Sequence, residues 1–240
     1  MVKKWRLVWV VVGIGLVAGG IIWFWPRRAR LIIPWFEVKP KEFRLAVISD
    51  LHSNLANLEK ALARAKDDGI ELVVLNGDVT TTGKKEELVA AKQVLERAGL
   101  PYLVISGNHD LYWGKRIKKN LFAEIFGPPR GSLVQDQWRL ILIEEEQEPD
   151  QAIWECQRVE CLVLIHRPPD QGESPKLITT LKNSGVKTVI AGHVHFSLEY
   201  EIEGIRIIVT GAAGEDRNPQ EPRFLEYNLL TKERKIIMLE

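Results

Sequence analysis

SDLHS (49–53), NGD (76–78), GNHD (107–110), LIHRP (164–168) and GHVH (192–195) hold every histidine of the chain: His52, His109, His166, His193 and His195. In the first and last strings, acid or imidazole alternates with one spacer, as Asp50-Leu-His52 and His193-Val-His195. Neutral imidazole and carboxylate are ligands shared by Mn, Fe and Zn. Each string follows a short apolar run. LAVI (45–48) precedes Asp50, LVVL (72–75) Asp78, YLVI (102–105) Asn108, CLVLI (161–165) His166 and TVIA (188–191) His193. Continuous β-branched runs of this length read as strands buried on both faces. Leu55, Leu58, Leu62 and Ala65 keep helical spacing between the first two runs, and Leu88, Ala91, Leu95 and Ala98 do so between the next two. Such units form right-handed β-α-β crossovers, whose ligand crevice lies beyond the carboxyl ends of the strands. All five strings converge there.

In order and spacing, these residues resemble the calcineurin-like metallophosphoesterase family. Its pattern of D-x-H, G-D, G-N-H-[DE], a lone H and G-H-x-H is met by Asp50-Leu-His52, Gly77-Asp78, Gly107-Asn108-His109-Asp110, His166 and Gly192-His193-Val-His195. The resemblance covers residues 43 to 240, and no ligand position is substituted. It implies an α/β fold, a four-layer α/β/β/α sandwich, and two divalent metal ions drawn from Mn, Fe or Zn. It assigns Asp50, His52, Asp78 and His195 to one metal and Asp78, Asn108, His166 and His193 to the other. His109 then stabilises or protonates the leaving oxygen, with Asp110 orienting its ring.

The chemistry accounts for those residue types. Two metals about 3.5–4 Å apart clamp a phosphoryl group and lower the pKa of a bound water. A carboxylate bridges two cations and offsets part of their repulsion, and Asp78 is the candidate. The neutral amide of Asn108 leaves positive charge at the site for an anionic substrate. Taken singly, His166 reads as a hydrogen-bonded core residue, and Asp78 and Asp110 read as helix N-caps. The complete set excludes those readings together. The competing class of function is a tethered scaffold that keeps its metals without turnover, which metal content and activity on a chromogenic phosphodiester separate from an enzyme.

Residues 7–25 contain neither charge nor proline. At 1.5 Å per residue they span roughly 28 Å, close to the hydrocarbon thickness of a bilayer. Lys3, Lys4 and Arg6 lie before the run and Arg27, Arg28 and Arg30 after it, with Trp5, Trp9, Trp23 and Trp25 near its ends. Ile-Ile-Trp-Phe-Trp continues directly after Ala18-Gly19-Gly20, which argues against a cleaved signal peptide. The expected organisation is a membrane anchor over 1–25, a juxtamembrane linker over 26–42 and a metallophosphoesterase domain over 43–240. That makes a single-pass membrane protein. Counting Lys39, Lys41 and Arg44 leaves six basic residues after the span against three before it, which leans towards a cytoplasmic domain. Cys156 and Cys161 sit five apart, on or near one strand, and need no disulfide.

The net charge of +1 and the 45% hydrophobic content suit one ordinary globular domain after the anchor. Near-neutral charge and the lack of a basic stripe with interleaved aromatics argue against nucleic acid as a partner. No obligate protein partner is evident. EYEIEGIRIIV (199–209) reads as a hairpin around Glu203-Gly204, and RFLEYNLL (223–230) with KIIMLE (235–240) as a second. The expected substrate is a phosphomonoester, phosphodiester or pyrophosphate. A membrane lipid is favoured by tethering, as the likeness to anchored bacterial members that act on lipid precursors also implies. Lys115, Arg116, Lys118 and Lys119 within 111–130 read either as a rim for anionic headgroups or as a solvated helix face. Arg167, directly after His166, is a further candidate for substrate phosphate.

Overall fold

The first three apolar runs form parallel neighbours in one sheet: β1 (Arg44–Ile48), β2 (Leu72–Asn76) and β3 (Tyr102–Ile105). Sheet order is β11-β10-β1-β2-β3, with β10 (Arg223–Asn228) antiparallel to β1 and β11 (Arg234–Met238) antiparallel to β10. The second sheet runs β4 (Ser132–Gln135), β5 (Trp138–Ile143), β6 (Glu160–Ile165), β7 (Thr188–Ala191), β9 (Ile205–Thr210) and β8 (Ser197–Ile202). Strands β5, β6, β7 and β9 are parallel, and β4 and β8 are antiparallel edges. This computed structural model describes residues 43–128, 131–135, 138–145, 147–149, 151–171, 175–214 and 219–240. The candidate anchor (7–25) and linker (26–42) lie outside the described residues. Among the described residues, no helix is long and apolar enough to cross a membrane.

Strand alternation distributes the core over the two faces of each sheet. Leu45, Val47, Leu72 and Val74 of the first sheet meet Leu140, Leu142, Leu162 and Leu164 of the second. The opposite face of the first sheet, through Ala46, Ile48, Val73 and Leu75, is covered by Leu58, Ala61 and Leu62 of α1 (Leu55–Asp67) and by Ala91, Val94 and Leu95 of α2 (Lys85–Ala98). The outer face of the second sheet packs Ile141, Val163 and Ile165 on Leu177 and Leu181 of α5 (Pro175–Asn183) and on Ile153 of a 3-10 segment, Gln151–Gln157. Helix, sheet, sheet and helix therefore stack around three apolar layers.

Both expected hairpins form. Glu203 and Gly204 have φ of 53° and 78°, so both central residues of the β8–β9 turn are left-handed, as a tight hairpin on twisted strands requires. Two readings are corrected. YLVI is half-buried, because β3 is an edge strand and Tyr102 and Val104 are only partly covered. The cysteines do pair. Cys156 belongs to the 3-10 segment and not to a strand, and the turn that follows brings its Cα within 5.4 Å of that of Cys161, near the start of β6. The run WRLILI (138–143), which forms β5, has the same apolar signal as the other strands but no metal-site string after it.

Candidate metal centre

The loops after β1, β2 and β7 and the ends of β3 and β6 meet at one edge, and backbone geometry marks the place. Among the described residues nine non-glycine residues have positive φ, and five of them are candidate ligands: Asp50 (54°), His52 (46°), Asp78 (50°), His193 (68°) and His195 (63°). Left-handed backbone at such residues costs of order 1–3 kcal/mol each and persists only where the surroundings fix it. Here backbone hydrogen bonds fix it. Asp50 N donates to Gly77 O (3.1 Å), His52 N to Asp78 O (3.0 Å) and Ser53 N to Val79 O (3.0 Å), which joins the first two loops residue by residue. Two glycines permit the close approach. A Cβ on Gly107 would lie 2.2 Å from Asp78 Oδ1, and one on Gly192 would lie 1.9 Å from Ser49 Oγ.

The side chains gather into two groups with Asp78 between them. Asp50, His52 and His195 bring ligand atoms within 4.8 Å of one another, as do Asp78, His166 and His193. His52 Nε2 and His195 Nε2 are 3.1 Å apart, and His195 Nε2 is 3.5 Å from Asp50 Oδ1. Asp78 Oδ2 lies 3.3 Å from His166 Nε2 and 4.0 Å from His52 Nε2, so one carboxylate reaches both groups. Asp50, Asp78, His52 and His166 are all buried. The outer contacts orient them. Ser49 Oγ donates to Asp50 Oδ2 (2.6 Å), His193 N donates to both oxygens of Asp50, and His109 N donates to Asp78 Oδ1 (2.9 Å). The ring of His166 is fixed by Nδ1–H donating to Asn76 O (3.0 Å), which turns Nε2 towards Asp78.

Whether this set fits divalent cations is tested by buried atoms that lack hydrogen-bond partners. Asn108 Oδ1 is buried and has none, and the buried His166 Nε2 has only the Asp78 carboxylate, 3.3 Å away, beside it. An unsatisfied buried acceptor costs about 1–3 kcal/mol, and a cation would satisfy the amide oxygen, while at His166 it would take the place of the ring proton. The donor set of carboxylate, imidazole and amide oxygen suits Mn, Fe or Zn. The charges agree. Burial opposes the carboxylate of Asp78, but the adjacent His166 and the His109 backbone N–H outweigh it and bring the group to about 2. Burial likewise opposes a charged His166, and the Asp78 and Asp50 carboxylates override it to raise the ring to about 9. Burial first, then the nearby positive charge of His166 and Arg167, lowers His193 to about 4. Burial raises Asp50.

His109, the second residue of α3 (Asn108–Arg116), faces the same space, its ring edge-on to His52 at 4.7 Å between centroids. It also forms a third ligand-distance group with His52 and Asp78. The expectation that Asp110 orients this ring is overturned. His109 Nδ1 lies 2.7 Å from Thr81 O, so a backbone carbonyl holds the ring. Asp110 instead accepts from Thr80 N (2.8 Å), Thr80 Oγ1 (2.7 Å) and Gly107 N (3.0 Å), tying the second motif loop to the start of α3. Burial and the nearby Asp78 charge raise its carboxyl to about 6. It is the third residue of α3 rather than its cap, and Asp78 caps no helix.

Several contributors escaped the sequence reading. Thr81 acts through its carbonyl, which no side-chain pattern reveals. Glu145 holds Arg167 Nη2 at 3.0 Å while Arg167 Nη1 lies 3.1 Å from His193 Nε2; its position just beyond the end of β5 was the available signal. A cavity of about 470 Å³ opens over the site, and Val194, Phe196 and Pro219 add apolar wall to Asp78, His109, His193 and His195.

Two sheets with helices outside, and a carboxylate shared between two histidine groups at the strand ends, define a metal-dependent phosphoester hydrolase. The chain belongs to the calcineurin-like phosphoesterase superfamily, whose domain model matches residues 43–233. A relative described as a probable cyclic nucleotide phosphodiesterase, from Vesicomyosocius okutanii subsp. Calyptogena okutanii (strain HA), is 24% identical over 180 residues, covering 63% of this chain and 74% of the relative. In fold the chain is similar to TT1561 of Thermus thermophilus (TM-score 0.62, 16% identity, 83% of this chain and 100% of that one). It is also similar to a dimetal phosphatase from Danio rerio (TM-score 0.56, 14% identity, 82% and 99%).

Proposed function

We propose that this hydrolase is a two-metal phosphodiesterase tethered to a membrane by residues 7–25. Asp50, His52, Asp78 and His195 would hold one cation, and Asp78, Asn108, His166 and His193 the other. Bound there, the metals supply a Lewis-acid clamp on the phosphoryl oxygens and an acidified water. The chain's own groups do the rest. His109, held by Thr81, presents its remaining ring nitrogen to the leaving oxygen, and Asp110 fixes the loop that positions it. The carrying observation is the Asp78 carboxylate, placed between both histidine groups, with the unpartnered oxygen of Asn108 buried near them. A diester is favoured by the apolar Val194–Phe196–Pro219 wall, which offers a surface to a second organic substituent, and by the relative described as a probable cyclic nucleotide phosphodiesterase. Tethering favours a lipid-linked substrate. The Cys156–Cys161 bridge supports an outward-facing domain, since disulfides persist in oxidising compartments; it outweighs a flank count of six against three.

Metal analysis of the purified chain together with hydrolysis of bis(p-nitrophenyl) phosphate tests the reading. Two metals per chain and metal-dependent turnover are expected. Two metals without turnover on any mono- or diester would instead identify a binding scaffold.

A further inference from the structure

The helix that begins in the metal site leaves it along a cationic, partly apolar edge that the hydrolytic reaction does not use. Between residues 111 and 123 there are four basic side chains and no acidic one. After α3 the chain turns at Lys118, whose φ is 56°, and enters α4 (Leu121–Phe126). The turn encloses a cavity of about 300 Å³ whose lining includes the buried Asp110 at its inner end and Lys115, Lys118, Lys119 and Asn120. Beside it Tyr112 is 59% and Ile117 41% exposed. Trp113 lies under Arg116, 5.5 Å from the ring centroid, and under one further cation, Lys84 at 5.2 Å.

A face that only aids solubility has no need of an exposed tyrosine and isoleucine among its lysines. Lysines around a cavity, with an amphipathic aromatic and an aliphatic side chain exposed next to them, combine the two attractions of an anionic bilayer surface. The same chain supplies a tether: residues 7–25 without a charge, then seventeen residues before Phe43. We infer that the α3–α4 edge docks on anionic lipid headgroups, with a headgroup phosphate between Lys118 and Lys119 and with Tyr112 and Ile117 at the interface. His109 lies one helical turn from Tyr112, so docking turns the mouth of the metal site towards membrane-borne substrate. This rests on the tethered reading above.

Hydrogen exchange of the full chain in nanodiscs tests it. Discs of phosphatidylcholine alone are compared with discs containing phosphatidylglycerol, for the native chain and for K118E/K119E. Each lysine at such a surface is worth roughly a fivefold preference for anionic lipid. Amides 111–119 are therefore expected to exchange severalfold more slowly in anionic discs, and the difference to vanish in the variant while its hydrolysis of bis(p-nitrophenyl) phosphate stays native. Entry into discs with equal exchange at 111–119 on both lipids overturns the docking inference and leaves the tether standing. Protection that survives in K118E/K119E overturns the headgroup assignment. Failure of the native chain to enter either disc removes the tether and this inference with it.

Discussion

The two ends of the strands are built differently. At the carboxyl edges of β1, β2 and β7 the chain enters left-handed backbone at Asp50, His52, Asp78, His193 and His195 and buries two carboxylates, and just beyond β3 it leaves Asn108 Oδ1 without a partner. At the amino edges the backbone is closed by conventional means. Arg44 Nη2 donates to the Asp68 (2.5 Å) and Gly69 carbonyls before β1 and β2, and the Cys156–Cys161 bridge closes the turn into β6. One edge concentrates left-handed backbone at candidate ligands, and the other contributes order. Cations at the first edge would satisfy the Asn108 oxygen, so changes there should alter metal content and turnover, and changes at the second should alter stability alone.

The largest effect is expected at Asp78. Its carboxylate reaches both histidine groups, so Asp78→Ala should abolish measurable hydrolysis and lower bound metal at both positions, as read by metal analysis of the purified variant. Full retention of two metals per chain would break the shared-carboxylate assignment, and with it the idea that this edge is organised around one bridging group.

His109→Ala should lower turnover by roughly 10²- to 10⁴-fold with metal content near native, the usual range for losing a general acid. The loss should shrink as the leaving group becomes more acidic, since less protonation is then needed. His109 also stands at ligand distance from His52 and Asp78, which makes the metal measurement decisive. Loss of a metal would move His109 into the coordination sphere.

Most of the carboxyl edge was legible because its function demands side chains of fixed type. Asp50, His52, Asp78, His166, His193 and His195 could be read from five strings, and the strands before them from continuous apolar runs. The structure brings all six together, with Asn108 and His109 at the start of α3. What could not be read is carried by backbone or by tertiary pairing. Thr81 orients His109 through a carbonyl, and Asp110 serves Thr80 and Gly107 rather than the neighbouring imidazole. The amino edge was less legible. A cysteine pair five apart is silent about pairing until the path of the chain between them is known, and here a 3-10 segment supplies that path.

The buried pair at the second histidine group gives metal binding a pH dependence of definite sign. His166 is raised to about 9, so at neutral pH the metal-free protein holds a proton there; His193, lowered to about 4, holds none. A cation at His166 must displace that one proton, so affinity rises with pH up to about 9 and falls below it, by about a hundredfold between pH 8 and pH 6 for a single released proton. Titration calorimetry in buffers of differing ionisation enthalpy counts the protons. Release of none at pH 7 would mean that His166 is neutral before binding, and the contrast in charge between His166 and His193 would fail.

The smallest effect belongs to the opposite edge. Cys156 and Cys161 close a loop of a few residues, and a loop that short limits the entropy removed from the unfolded chain, so reduction or Cys156→Ser with Cys161→Ser should cost about 2 kcal/mol. For a domain of this size that is a fall of about 4–8 °C in Tm, measured by calorimetry with and without reductant. The bridge flanks the apolar layer of Ile153, Val163 and Leu181 and touches none of the candidate ligands, so bound metal and turnover on small esters should be native below the transition. Metal loss on reduction would show that the turn into β6 transmits to His166 at its far end and that the two edges act as one unit. Free thiols in chain isolated under alkylating conditions would leave the outward-facing placement without its support.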